Sequence, residues 1–95
     1  MPYYGDISKC QMTADQAVRL AAIAGLGETG KDEACNELIA MLTDQDAEIR
    51  ASAAAALGTL GNSHAQTYLR YHMEHEKDSR VAQAMEDGIS KLNQK

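Results

Sequence analysis

Residues 46–73, DAEIRASAAAALGTLGNSHAQTYLRYHM, align without a gap on residues 15–42, DQAVRLAAIAGLGETGKDEACNELIAML, at a spacing of 31. Nine of the 28 pairs are identical: Asp15/Asp46, Arg19/Arg50, Ala22/Ala53, Ala24/Ala55, Leu26/Leu57, Gly27/Gly58, Gly30/Gly61, Ala34/Ala65 and Leu38/Leu69. A helical period of this length marks a solenoid, in which each helix pair buries its apolar face only against its neighbours. The repeat therefore predicts an all-α superhelix.

Within the stretch, Ile49, Ala53, Ala56, Leu57 and Leu60 recur at steps of three and four, which places them on one face of a helix. The first unit carries Val18, Ala22, Gly25, Leu26 and Thr29 at the same positions, and a third copy follows 32 residues on as Val81, Met85, Gly88, Ile89 and Leu92. All three stripes are expected to face inward. The small residues Gly25, Ala56 and Gly88 mark expected points of close helix approach, because glycine inside a helix is otherwise unfavourable by about 1 kcal/mol.

Start and stop signals agree. Thr13 and Gln16 have capping-box spacing, Asp46 and Asp78 are N-cap residues, and Gly30 and Gly61 suit the left-handed conformation that ends a helix. The intervening helices are predicted over Lys31 to Leu42 and Ser63 to Met73, with Ala34, Leu38, Met41, Leu42, Ala65, Leu69 and Met73 inward. A short helix over Asp6 to Met12, with Ile7 in register with Leu38, opens the chain. One domain of three two-helix units results: about 5–30, 31–61 and 62–93.

The 95 residues hold 9 Lys and Arg against 14 Asp and Glu, a net charge of −5, and no Trp or Phe. An acidic chain without clustered Lys and Arg is not a phosphate binder, so nucleic acid is not an expected partner. No segment approaches 18 consecutive apolar residues, and the first residues lack the pattern of a signal peptide, so no membrane span is expected and the location is expected to be cytoplasmic. Cys10 is in register with Met41, six positions from Cys35. Roughly 9 Å of helical rise added to roughly 8–10 Å between axes exceeds the reach of a disulfide, so free thiols are expected.

The string Asp44-Gln45-Asp46-Ala47-Glu48-Ile49-Arg50, followed by Ala53, Ala56, Leu57, Gly58 and Gly61, resembles the HEAT repeat, in particular the short prokaryotic subtype named after phycobilisome lyase subunits. The resemblance is close in the middle unit and looser in the third, where Ala82 replaces the arginine. It implies an α-α superhelix and a ladder of Asp and Arg along the stack, here Thr13/Arg19, Asp44/Arg50 and Glu76/Ala82. At most one rung is complete within a unit, which leaves pairing across units open. The ladder reads as structure.

Candidate chemistry is sparse. His72, Glu74, His75 and Glu76, with His64 two turns before His72, are the only metal-like grouping, but they end in a charge run typical of a solvated turn and read as surface residues. No metal and no cofactor is expected. HEAT-like di-iron hydroxylases carry His-Glu pairs directly after the Val-Arg of the repeat; here those places hold Leu20-Ala21, Ala51-Ser52 and Gln83-Ala84, which cannot bind iron. The run Gly25 to Gly30 lacks the lysine and the strand of a phosphate loop, and its repeat partner is a helix end.

What remains is a surface. The resemblance implies that the second helices line the concave side, with Leu20, Ile23 and Ala24, then Ala51, Ala54 and Ala55, then Gln83, Glu86 and Asp87 outward. The apolar rows are the expected partner-binding residues of a noncatalytic protein-interaction module, unless the N-terminal segment with Tyr3 and Tyr4 folds back over them. An accessory subunit of a bilin-handling lyase is the alternative that the resemblance implies, and self-association through the open ends of the stack is a third reading.

Overall fold

The computed structural model describes residues 14–94. Five helices follow one another: α1 (Ala14–Thr29), α2 (Asp32–Met41), α3 (Ala47–Leu60), α4 (Ala65–His75) and α5 (Ser79–Asn93), with no strand among the described residues. The short helix expected over Asp6 to Met12 lies outside the described residues, as do Thr13 and Cys10.

The local signals act where they stand in sequence. Asp46 and Asp78, both extended, accept the backbone N–H of Glu48 and Arg80 at 2.9 Å each and so satisfy donors that a helix start leaves unpaired. Gly30 and Gly61 carry φ of 73° and 80°, and Gly61 N–H closes α3 on Leu57 O. The fourth helix begins two residues later than predicted and ends two residues later. The Asn62 side chain accepts His64 N–H at 2.9 Å and holds the entry in a turn, which delays the helix to Ala65.

α3 is the hub and packs against α1, α2 and α5. Gln16, near the start of α1, donates to Asp46 just before α3 (2.7 Å), whereas Gly27 near the end of α1 meets Ala56 near the end of α3. The second helices are therefore stacked in parallel. Ile49, Ala53, Leu57, Leu38, Leu42, Leu69 and Met85 form the buried centre, as their spacing predicted.

Two expectations fail in the first unit. Val18 is 68% exposed and Ala22, Gly25 and Thr29 are exposed, although their counterparts Ile49 and Val81 are 0% and 1% exposed. In α3 and α5 that stripe is covered by a preceding pair of helices; α1 has no such pair among the described residues. For the same reason Gly25 is no point of close approach, since a Cβ built there meets nothing within 4 Å. The other two expected points, Ala56 and Gly88, are tight contacts. A Cβ on Gly27 would come within 3.0 Å of Ala56, one on Gly58 within 3.0 Å of Gly88 Cα, and one on Gly88 within 2.8 Å of Ala54 O.

Candidate interaction surface

Each second helix has one face toward the next unit and another toward solvent, and the 31-residue register separates them. Leu20, Ile23 and Gly27 of α1 correspond to Ala51, Ala54 and Gly58 of α3 and to Gln83, Glu86 and Ser90 of α5. This is the stacking face. Ile23 and Ala54 are 1% and 0% exposed, Leu20 and Ala51 are half-buried, and only the α5 set is solvated. Ile23 and Ala54, expected outward, are thus core residues: consecutive helical positions point about 100° apart, so Ile23 turns inward where Ala24 does not. Gln83 and Glu86 make the corresponding face of α5 polar.

The solvent-facing rows are Ala21, Ser52 and Ala84, then Ala24, Ala55 and Asp87, then Glu28, Thr59 and Lys91, at half-buried or exposed positions throughout. Between α1 and α3 they border a shallow groove of about 370 Å³. Leu20, Ile23 and Ala24 form one wall and Ser52, Ala55 and Ala56 the other, with Glu28 and Thr59 at one end. Of the expected contact residues, Leu20, Ala24 and Ala55 therefore stand at the groove with accessible surface. Ile23 contributes only its buried flank to the wall, and Ala51 and Ala54 do not line it. Ser52, Glu28 and Thr59 were missed; the signal available for Glu28 and Thr59 was the register with the plainly solvated Lys91, and for Ser52 its own polarity one turn before Ala55.

At the edge of the stack, where one unit turns into the next, an ion-pair ladder runs across units. Arg19 of α1 donates from Nη2 to Asp44 Oδ2, before α3. Arg50 of α3 grips Glu76, before α5, with Nε to Oε1 at 2.9 Å and Nη2 to Oε2 at 3.0 Å. Within its own unit Arg50 reaches Asp44 only through the backbone oxygen, 2.7 Å from Nη1. Each acid also ties the following cap residue: Asp44 Oδ1 accepts Asp46 N–H at 2.8 Å and Glu76 Oε2 accepts Asp78 N–H at 3.1 Å. The Asp46 N–H holds the Asp44 carboxyl below its ordinary range, although partial burial opposes this and the Arg19 guanidinium assists. Burial pushes the Glu76 carboxyl up, but Arg50 and the Asp78 N–H outweigh it and leave it lowered.

The three described histidines lie along or just before α4 with the two described tyrosines. Tyr68 and Tyr71 are 40% and 58% exposed; His64 contacts the Tyr68 ring (centroids 5.5 Å apart) and His75 the Tyr71 ring (4.5 Å). Burial and the neighbouring His75 lower the His72 pKa. Among the described residues no three His, Cys, Asp or Glu side chains converge as a metal site needs. Cys35 is free and buried, and burial followed by the nearby Asp32 charge raises its thiol pKa, the opposite of what activates a nucleophile. No described helix is long and apolar enough to cross a membrane.

Compared with known proteins, the chain matches the family described as HEAT repeats over residues 8–90. No curated protein and no solved structure matches it. The match is to the repeat at large and does not single out the lyase-subunit branch.

Proposed function

The chain belongs to the HEAT-repeat family, and from that premise we propose that it is a noncatalytic, cytoplasmic scaffold that docks a protein partner on the concave side of its stack. HEAT repeats commonly serve as protein-interaction scaffolds. The observation that carries the reading is the groove between α1 and α3, whose accessible apolar walls are Leu20, Ala24 and Ala55, with Ser52, Glu28 and Thr59 as its polar lining. Small residues keep both ridges low, so a partner side chain reaches the backbone level of two helices at once. The buried free thiol of Cys35 and the acidic surface suit a reducing, aqueous compartment.

Filling the groove tests this. Ala24→Arg with Ala55→Arg places two long side chains at exposed positions, which leaves stability within about 0.5 kcal/mol. Partners recovered by affinity purification and mass spectrometry should be lost from this variant and retained by Tyr68→Ala with Tyr71→Ala. Retention of the same partners by the groove variant would refute the concave docking site.

A further inference from the structure

We infer that the segment the α1–α3 groove accepts is a short apolar helix with a basic residue at each end. The inference rests on the docking reading above and adds the chemistry of the partner.

The charges around the groove carry it. No lysine or arginine lines it, and its one charged lining residue is Glu28, at the end of α1. On the facing ridge, Glu48, Ser52, Ala55 and Thr59 follow at i, i+4, i+7 and i+11, which puts Glu48 in line with the ridge at the start of α3. Glu28 and Glu48 are both exposed. Because α1 and α3 are parallel, Glu28 stands at one end of the groove and the register puts Glu48 in line with the α3 ridge beyond its other end. The eleven steps from Glu48 to Thr59 span roughly 16 Å, about three turns of a docked helix.

The next groove is different. Between α3 and α5 the lining includes Asp87 and Lys91, and Arg80 occupies the register place of Glu48. A basic-ended apolar helix gains two attractive pairs between α1 and α3 and meets Lys91 and Arg80 against the single carboxylate of Asp87 between α3 and α5, so charge favours the first groove. The chain's net charge of −5 favours approach of the same partner.

Two synthetic helical peptides test this, identical in a leucine and alanine stripe at three- and four-residue spacing and differing only in lysine or glutamate at both ends. Fluorescence anisotropy with the full chain should show the lysine peptide binding roughly tenfold more tightly at low salt, the sum of two exposed charge pairs made attractive instead of repulsive. The preference should shrink in Glu28→Gln with Glu48→Gln, invert in Glu28→Lys with Glu48→Lys, and vanish at about 1 M salt. Circular dichroism of these surface variants should be unchanged. Equal affinity of both peptides, lost on Ala24→Arg with Ala55→Arg, would overturn the charge inference and leave the docking reading standing; no binding of either peptide would overturn both.

Discussion

Arg50 pairs with Glu76 of the following unit and not with the carboxylate of its own, and the two hydrogen bonds, at 2.9 and 3.0 Å, lock α3 to the turn that launches α5. The side chains are 20% and 7% exposed, so the pair is largely desolvated, whereas Arg19 in the preceding rung is 51% exposed. Arg50→Ala should cost about 2–3 kcal/mol, because it leaves Glu76 buried without its partner and frees the carbonyls of Asp44 and Gln45. Arg19→Ala should cost under about 1 kcal/mol. Urea unfolding of the two variants measures the difference, and equal losses would mean that burial does not set the strength of the rungs.

Acid should weaken the stack in two stages. His72 is held below its ordinary 6.5 by burial and by His75, so the folded chain binds fewer protons there than the unfolded chain and stability falls as pH drops from about 6.5. Asp44 and Glu76 are held below their ordinary 3.8 and 4.5, so their contribution is present above those values and lost as pH falls through the lowered ones. Thermal melts across pH should show both stages in the native chain and only the lower one in His72→Gln.

Glycine has opposite value at Gly25 and Gly88, although the two share a register position. Gly88→Ala drives a methyl to 2.8 Å from Ala54 O and should destabilise by about 1–3 kcal/mol, since backbone cannot yield. Gly25→Ala enters open space and should stabilise by up to about 1 kcal/mol through helix propensity alone. Melting temperatures moving in the same direction would contradict the contacts described for α1 and α5.

Adjacent residues of α1 should differ as sharply. Ile23→Asp buries an unpaired carboxylate beneath α3 and should cost more than about 3 kcal/mol, enough to leave much of the chain unfolded. Ala24→Asp should leave the melting temperature nearly unchanged, because its side chain meets water. Circular dichroism melts of the two single variants make the comparison directly.

The stacking face of α5 is polar where those of α1 and α3 are apolar. Gln83 and Glu86 stand where α3 has Ala51 and Ala54, so a second copy laid there would desolvate a carboxylate. Gln83→Ala with Glu86→Ala restores the stacking face seen on α3 and should raise the mass in solution with concentration, the exposed Val18 face of α1 being the available apolar counterpart. Light scattering of the native chain should show no such end-to-end growth.

Much of this was written locally. Helix starts at Asp46 and Asp78, helix ends at Gly30 and Gly61, the 31-residue period and the buried stripes of α3 and α5 were all readable, because caps, positive φ and periodicity each act over a few residues. The choice between Ala54 and Ala55 was not readable. Alanine shows no contrast between a buried and an exposed face, and a rotation of 100° about the helix exchanges the two roles. Only the stacking of α1, α3 and α5 fixed that rotation. It placed Ile23 and Ala54 in the core and left Ala24, Ala55 and Glu28 at the groove, and it paired Arg19 and Arg50 with Asp44 and Glu76 of the unit ahead and not with a carboxylate of the arginine's own sequence neighbourhood.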